Sequence, residues 1–435
     1  MPWSTSFCCL LLHYWLTGAL SLSGGASSSV LPSWEEIQSS LPSVKHTRPL
    51  VLDAAVDNID ESSLTADGKT ILYIDRNCWD PNAQRAWLAL EVKGAKYVTV
   101  LEGADYSNPI TSLPRLRWTD GTVQGGSDMY DILEKIQNEY PDGPDLYPQG
   151  ISISVDIVRA SIERRFDGIM PRYTRPSSLA PYVFREEDGT VVPKFKFNVC
   201  MEEIDEVLEE YDDGPFIAGT DITAADIFWA PFLERFAAQL PLLYDGLKPR
   251  SNSYEAVMEW YDAMDQYIPC YSCRVKGRVE TWQSVLATTH PELEVKKRVG
   301  NAGVPNLPTK KSFDANKVWM EYVKDKPYLA ETPAKEVAAQ LFLKREELVE
   351  LVTTECPSVG NPDGSFRELC NVLSHLDVFD PDAAPKAASS LSGDARDVAS
   401  FLISDDGLSV PRDIGVIPAE ALKGLTGVAP APRIA

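Results

Sequence analysis

Basic residues and histidines are scarce in this chain of 435 residues. Lys and Arg number 41 against 64 Asp and Glu, a formal charge of −23. Gripping nucleic acid takes a dense cationic surface, so this balance argues against it. The four histidines, at 13, 46, 290 and 375, are far apart in sequence, so no pair of them has zinc-ligand spacing. No G-x-S-x-G elbow supports a serine nucleophile, and no G-x-x-x-x-G-K-[ST] loop offers to cradle a nucleotide. The N-terminal apolar run, F-C-C-L-L-L-H-Y-W-L, is too short to span a bilayer as a helix.

That run is followed by small residues, T-G-A-L-S-L-S-G-G-A-S-S-S, which is the pattern of a signal peptide cleaved near Ser21. Residues 1–21 hold no Lys or Arg, so the usual basic start is missing. The Ser-rich stretch behind suits a second address, such as a plastid reached through the secretory route; left uncleaved, the protein would stay cytoplasmic. Residues 1–30 are therefore expected to be a targeting segment and 31–66 a polar leader, in which W-E-E-I-Q-S-S-L reads as a short helix. The cysteines at 78, 200, 270, 273, 356 and 370 are spread too widely for a disulfide framework.

From residue 70 the pattern sharpens. T-I-L-Y-I (70–74) reads as a strand. Residues 81–93 read as a helix, with Ala83, Ala86, Trp87 and Leu90 on one face. Asp80 suits the N-cap, Pro81 the first helical position and Gly94 the helix end. K-Y-V-T-V-L (96–101) completes a βαβ unit. L-P-R-L-R-W and T-V-Q around a T-D-G turn read as a hairpin, and Ser127 can cap a helix ending before Pro141. The order βαβ-ββα is thioredoxin-like, which predicts an α/β domain over 67–141. Beyond the linker P-D-G-P-D-L-Y-P-Q-G the periodicity is helical, with helices expected near 151–166, 194–211, 223–240, 252–266 and 272–286. Thr223 and Asp226 form a capping box, as do Ser365 and Glu368, and Thr332-Pro333 starts another helix. This predicts an all-α domain over 150–287 and a helical extension over 313–435 with three or four helices. Arg274, Lys276 and Arg278 read as a solvated helix face or, alternatively, a small basic patch, and the C-Y-S-C of Cys270 and Cys273 as packing or, alternatively, a redox pair.

Five stretches in this order resemble the glutathione S-transferase family over about 70–286. They are L-Y-x-D-x-N-x-W-D-P-N-A-Q-R-A-W-L-A-L-E-V-K-G-A-K-Y, S-L-P-R-L, D-G-T-V-Q-G-G-S, P-F-I-A-G-T-D-I-T-A-A-D-I and W-Y-D-A-M-D-Q-Y-I-P-C-Y. C-R-V-K-G (273–277) and S-V-P-R-D (409–413) are similar to stretches of long, algal-type members. The resemblance implies glutathione as substrate, no metal, a small apolar electrophile or ligand in the cleft, and a homodimer. It also implies that Leu113 and Pro114 form the cis-proline turn that pairs with the tripeptide. Ser127 would hold the γ-glutamyl end, with Asp128 compensating for Gly126 where the family has an acidic residue.

The nucleophile position departs from the pattern. Cysteine-type members place a thiol at this helix start, where the dipole and free N–H groups stabilise a thiolate. Alignment on the proline puts Asp80 there. A carboxylate forms no disulfide, and beside a thiolate about 4 Å away it repels by about 4 kcal/mol. Asp80 reads first as an N-cap and second as a general base. The other candidates are Cys78, two residues out of register, the Tyr73 hydroxyl, and the Asn77 or Asn82 amides. Three functions stay open: a glutathione transferase with a degenerate nucleophile, a non-catalytic binding module of the same fold, and a thiol transferase using Cys78.

Overall fold

The computed structural model describes residues 31–54, 57, 59–75, 78, 80–102, 114–125, 129–148, 191–210, 214–289, 303–376, 383–403 and 415–426. The targeting segment, Leu113, Ser127, Asp128 and the helix expected at 151–166 lie outside them.

Buried runs in the two central parallel strands anchor a five-stranded sheet. Strands β1 (Val51–Asp53), β2 (Thr70–Asp75), β3 (Tyr97–Glu102), β4 (Arg115–Arg117) and β5 (Val123–Gly125) lie in the order β1-β3-β2-β4-β5. β2 and β3 run parallel, joined by a helix, and β4 and β5 form the antiparallel hairpin beside β2. This is the predicted βαβ-ββα order with one strand added at the edge. The connecting helix α3 (Pro81–Val92) ends at Gly94 in the left-handed conformation, φ 62°. Leu72 and Ile74 face α3 and the main core, whereas Ile71 and Tyr73 face the opposite side with Val100.

The segment read as a leader is woven into the molecule. Helix α1 (Trp34–Ser39) forms as expected, on a Ser33–Glu36 capping box. Val51–Asp53 then pairs parallel with β3, and α2 (Glu61–Ala66) follows. Leu52, Ile59 and Leu64 cover Ile71, Tyr73 and Val100. Three residues between Pro- and Asp-rich stretches carry too little alternation to be read as a strand; their partner, β3, supplies the definition.

Helix α4 (Met129–Glu139) closes the α/β domain. The helical domain contains α5 (Lys194–Glu210), α6 (Ala224–Leu243), α7 (Glu255–Tyr267), a π-helical turn at Tyr271–Val275 and α8 (Val279–Thr289). The helix expected from 272 is thus split: a π turn, then Lys276–Arg278, then α8. Thr223 and Asp226 form the capping box predicted for α6.

The extension holds seven helices among the described residues rather than three or four. They are α9 (Ala315–Val323), α10 (Pro333–Leu343), α11 (Arg345–Glu355), α12 (Pro362–Ser374), α13 (Ala383–Ser390), α14 (Gly393–Ile403) and α15 (Val416–Lys423). Thr332 caps α10 as read. The Ser365–Glu368 box is corrected: Asn361 caps α12, with Pro362 at the first position, and Ser365 is buried inside the helix. Glu368 instead accepts from the Ser392 backbone at 2.7 Å and its hydroxyl at 2.6 Å, a partner that spacing along one helix cannot reveal.

Among the described residues there are two large cores. α9 and Ile417 join the main one, while α10, α12, α14 and α15 build a second. Ile37 and Leu41 enter that second core from the other end of the chain. Trp34 donates to Asp363 at 3.0 Å and packs edge-on against Phe342, and Arg48 pairs with buried Glu336 at 2.6 Å.

Candidate functional site

The described residues between β2 and α3 are linked by short-range contacts. Asp80 is extended, with φ −71° and ψ 124°, and its Oδ1 accepts from the backbone N–H groups of Asn82 at 2.7 Å and Ala83 at 3.0 Å. Those are the donors that a helix start leaves unpaired. Asp80 is 1% exposed. Its own N–H donates to the Asp75 carboxylate at 3.2 Å, and the Cys78 N–H to the Asp75 carbonyl at 2.9 Å. Cys78 has φ 48°, the one non-glycine residue with positive φ among those described. It is buried in the main core.

Tyr73 lies on the far face of the sheet. Its hydroxyl donates to Glu61 of α2, which also pairs with Arg117 at 2.5 Å. Burial first, and then Glu61, push that hydroxyl up to about 12. The Arg115 guanidinium covers its ring at 3.9 Å. The tyrosine is thereby committed to α2 and not to the turn. Pro114 is buried and immediately precedes β4. Since Arg115 pairs with both Tyr73 and Gly125, Pro114 and the end of β5 lie at the sheet end that carries Asp75. Pro114 therefore borders the same end as the Asp80 turn.

Residues that sequence reasoning passed over hold α3 to the helical domain. Arg85 donates to the Phe228 carbonyl at 2.6 Å and to Asn82 Oδ1 at 2.7 Å, and its guanidinium lies 3.4 Å from the Phe228 ring centroid. Tyr130 of α4 stacks on Phe228 at 5.0 Å. Gln84 gives its amide to Glu234 at 2.7 Å and takes a hydrogen bond from Arg235 at 2.8 Å. The signal was present: Gln84 and Arg85 interrupt an apolar helix, and polar side chains buried there need partners.

Glu234 is a hub. Besides Gln84 it accepts from the Gly277 N–H at 2.7 Å, the Trp282 indole at 2.5 Å and the Tyr271 hydroxyl at 3.3 Å. Burial pushes its carboxyl up, against the pull of Arg235. The predicted solvated face of Arg274, Lys276 and Arg278 is corrected here. Lys276 is buried, donating to Asp265 at 2.7 Å and to the Asn306 carbonyl at 2.7 Å. Arg278 is buried, donating to the Ile403 carbonyl at 2.8 Å, and Arg274 covers the Trp87 ring at 5.1 Å. Cys270 and Cys273 are free, buried thiols, and burial raises both. Asp226 takes the Thr223 N–H at 2.9 Å, and also the Ile217 N–H at 2.8 Å and the Trp260 indole at 2.9 Å. Among the described residues no cluster of His, Cys, Asp and Glu is arranged to hold a metal, and no helix is long and apolar enough to cross a membrane.

Residues 156–263 match the glutathione S-transferase C-terminal domain. No curated protein matches the chain. Solved structures of glutathione transferases are similar to it. The trimeric TDR1 of Leishmania is 20% identical, with 56% of this chain and 52% of that one covered and a TM-score of 0.40; the chain thus spans about half of that relative. A dehydroascorbate reductase of Chlamydomonas reinhardtii is 18% identical, covering 53% and 98%, with a TM-score of 0.33. A Drosophila mojavensis homologue with bound glutathione is 20% identical, covering 51% and 97%, with a TM-score of 0.36.

Proposed function

Because the chain carries the C-terminal domain of the glutathione S-transferase family, we propose that it is a glutathione-binding module that does not activate the thiol. The observation that carries this is the Asp80 carboxylate on the Asn82 and Ala83 N–H groups. In a working thiol site those groups face the sulfur. Here they are satisfied internally, and a thiolate brought close would meet like charge, at about 4 kcal/mol for a 4 Å approach. Leu113, Pro114 and Ser127 are the residues proposed to hold the tripeptide, with an apolar ligand in the cleft. The targeting segment would carry the protein along the secretory route.

Titrating residues 31–435 with glutathione in a calorimeter tests binding, with Ser127→Ala as the control. Absence of heat at millimolar glutathione overturns the module. Conjugation of a small electrophile by the native chain overturns the loss of activation and favours the transferase. Asp80→Ser keeps a helix cap and supplies a hydroxyl donor, so it is expected to gain conjugation that the native chain lacks. Asp80→Cys is expected to gain thiol transfer.

A further inference from the structure

The extension reaches the start of α3 through one turn. Gly415, which opens α15, has φ 75°, and a Cβ placed there would lie 2.1 Å from the Cys273 carbonyl oxygen. Only glycine lets α15 begin flush against the π turn. Around that contact the extension is tied to residues just beyond the turn. Arg278 donates to the Ile403 carbonyl at 2.8 Å, and Lys423 pairs with Glu280 at 2.8 Å. The Asn306 amide bridges Glu280 at 3.0 Å and Glu420 at 2.8 Å, while its Oδ1 takes the Val279 N–H at 2.7 Å.

The opposite side of the same turn grips α3. Gly277 N–H and Tyr271 hydroxyl bind Glu234, and Glu234 binds Gln84. Gln84 also donates to the Val275 carbonyl at 3.4 Å. Its own N–H closes the first turn of α3 on the Asp80 carbonyl at 3.1 Å. The links from Gly277 and Tyr271 through Glu234 to Gln84 are buried, where an unmade hydrogen bond is costly and small displacements are transmitted rather than absorbed.

We propose that the C-terminal extension is a positioning element for α3, acting from Gly415 through the Cys273–Gly277 turn and Glu234 to Gln84. The helix whose N-terminus forms the candidate site is held in place by a body that begins more than two hundred residues later in the chain. The proposal does not depend on glutathione being the ligand.

Amide hydrogen exchange of the full chain, followed by mass spectrometry, tests it without any ligand. Gly415→Ala is expected to raise exchange in the first turns of α3 about tenfold, together with α15. Gln84→Met, at the other end of the series, is expected to raise exchange in α3 to a similar extent while α15 keeps its protection. In the double variant α3 should exchange no faster than in the worse single variant, since both cut one series. Release of α15 with unchanged protection of α3 overturns the proposal, and so do two effects that add. If Gly415→Ala does not fold, Lys423→Met loosens α15 without backbone strain, and about a threefold rise in α3 is then expected; no rise overturns the proposal equally.

Discussion

Two cysteine-bearing turns organise this molecule, and they are wired in opposite ways. Around the first turn the described contacts are short in sequence: Asp75 takes Asp80 and Cys78 N–H groups, and Asp80 takes those of α3. In the turn from Cys270 to Gly277 the partners come from far along the chain, at Gln84, Glu234, Asn306 and Gly415. The first turn is a local device that stops a helix from fraying. The second is a junction where four parts of the chain meet. A π-helical turn suits such a junction, because the widened backbone turns carbonyls aside to outside partners.

Breaking the second turn should therefore cost far more than breaking the first. Asp265 is fully buried between Lys276 at 2.7 Å and Arg250 at 2.9 Å. Asp265→Ala strands Lys276, leaves Arg250 with Asp262 alone, and is expected to lower stability by about 4 kcal/mol in urea unfolding. Acid should attack the same region next. Burial raises the Glu280 carboxyl, but Arg278 and Lys423 outweigh it and hold it at about 2, below its usual 4.5. Its stabilisation is complete above about pH 4.5 and is lost as pH falls toward 2. Thermal melts of the native chain and Glu280→Gln should converge across that window. In the first turn, Asp80→Ala is expected to cost only about 1 kcal/mol, the worth of one cap. The smallest effect concerns the thiols: at pH 7.5 an alkylating reagent should label half-exposed Cys356 before buried Cys270 and Cys273, as peptide mapping would read. Early labelling of Cys270 would mean that the junction opens and would erase the contrast.

The same contrast explains what could be read in advance. The βαβ-ββα order, the Asp80 cap, the Thr223–Asp226 box and the Gly94 stop are statements about residues within one or two turns of each other, and the structure has them all. The burial of Lys276 and Arg278 was misread because their partners, Asn306 and Ile403, stand 30 and 125 residues away. Strand β1 was missed for a related reason: its identity comes from β3, not from its own three residues. At the candidate site, Asp80 was legible as a cap. That Gln84 and Arg85 tie its helix to α6 was not, because the partners that make a buried amide and guanidinium tolerable lie about 150 residues further on.

The second core sets a schedule for making the protein. Trp34 and its partner Asp363 are 329 residues apart, so α1 leaves the ribosome long before the helices that shelter it exist. At about 5–20 residues per second that wait lasts roughly 20–60 s. Throughout it Ile37 and Leu41 have nothing to bury against. Until those helices emerge, two apolar residues of the N-terminal segment stay exposed on the nascent chain, where they add to its aggregation hazard.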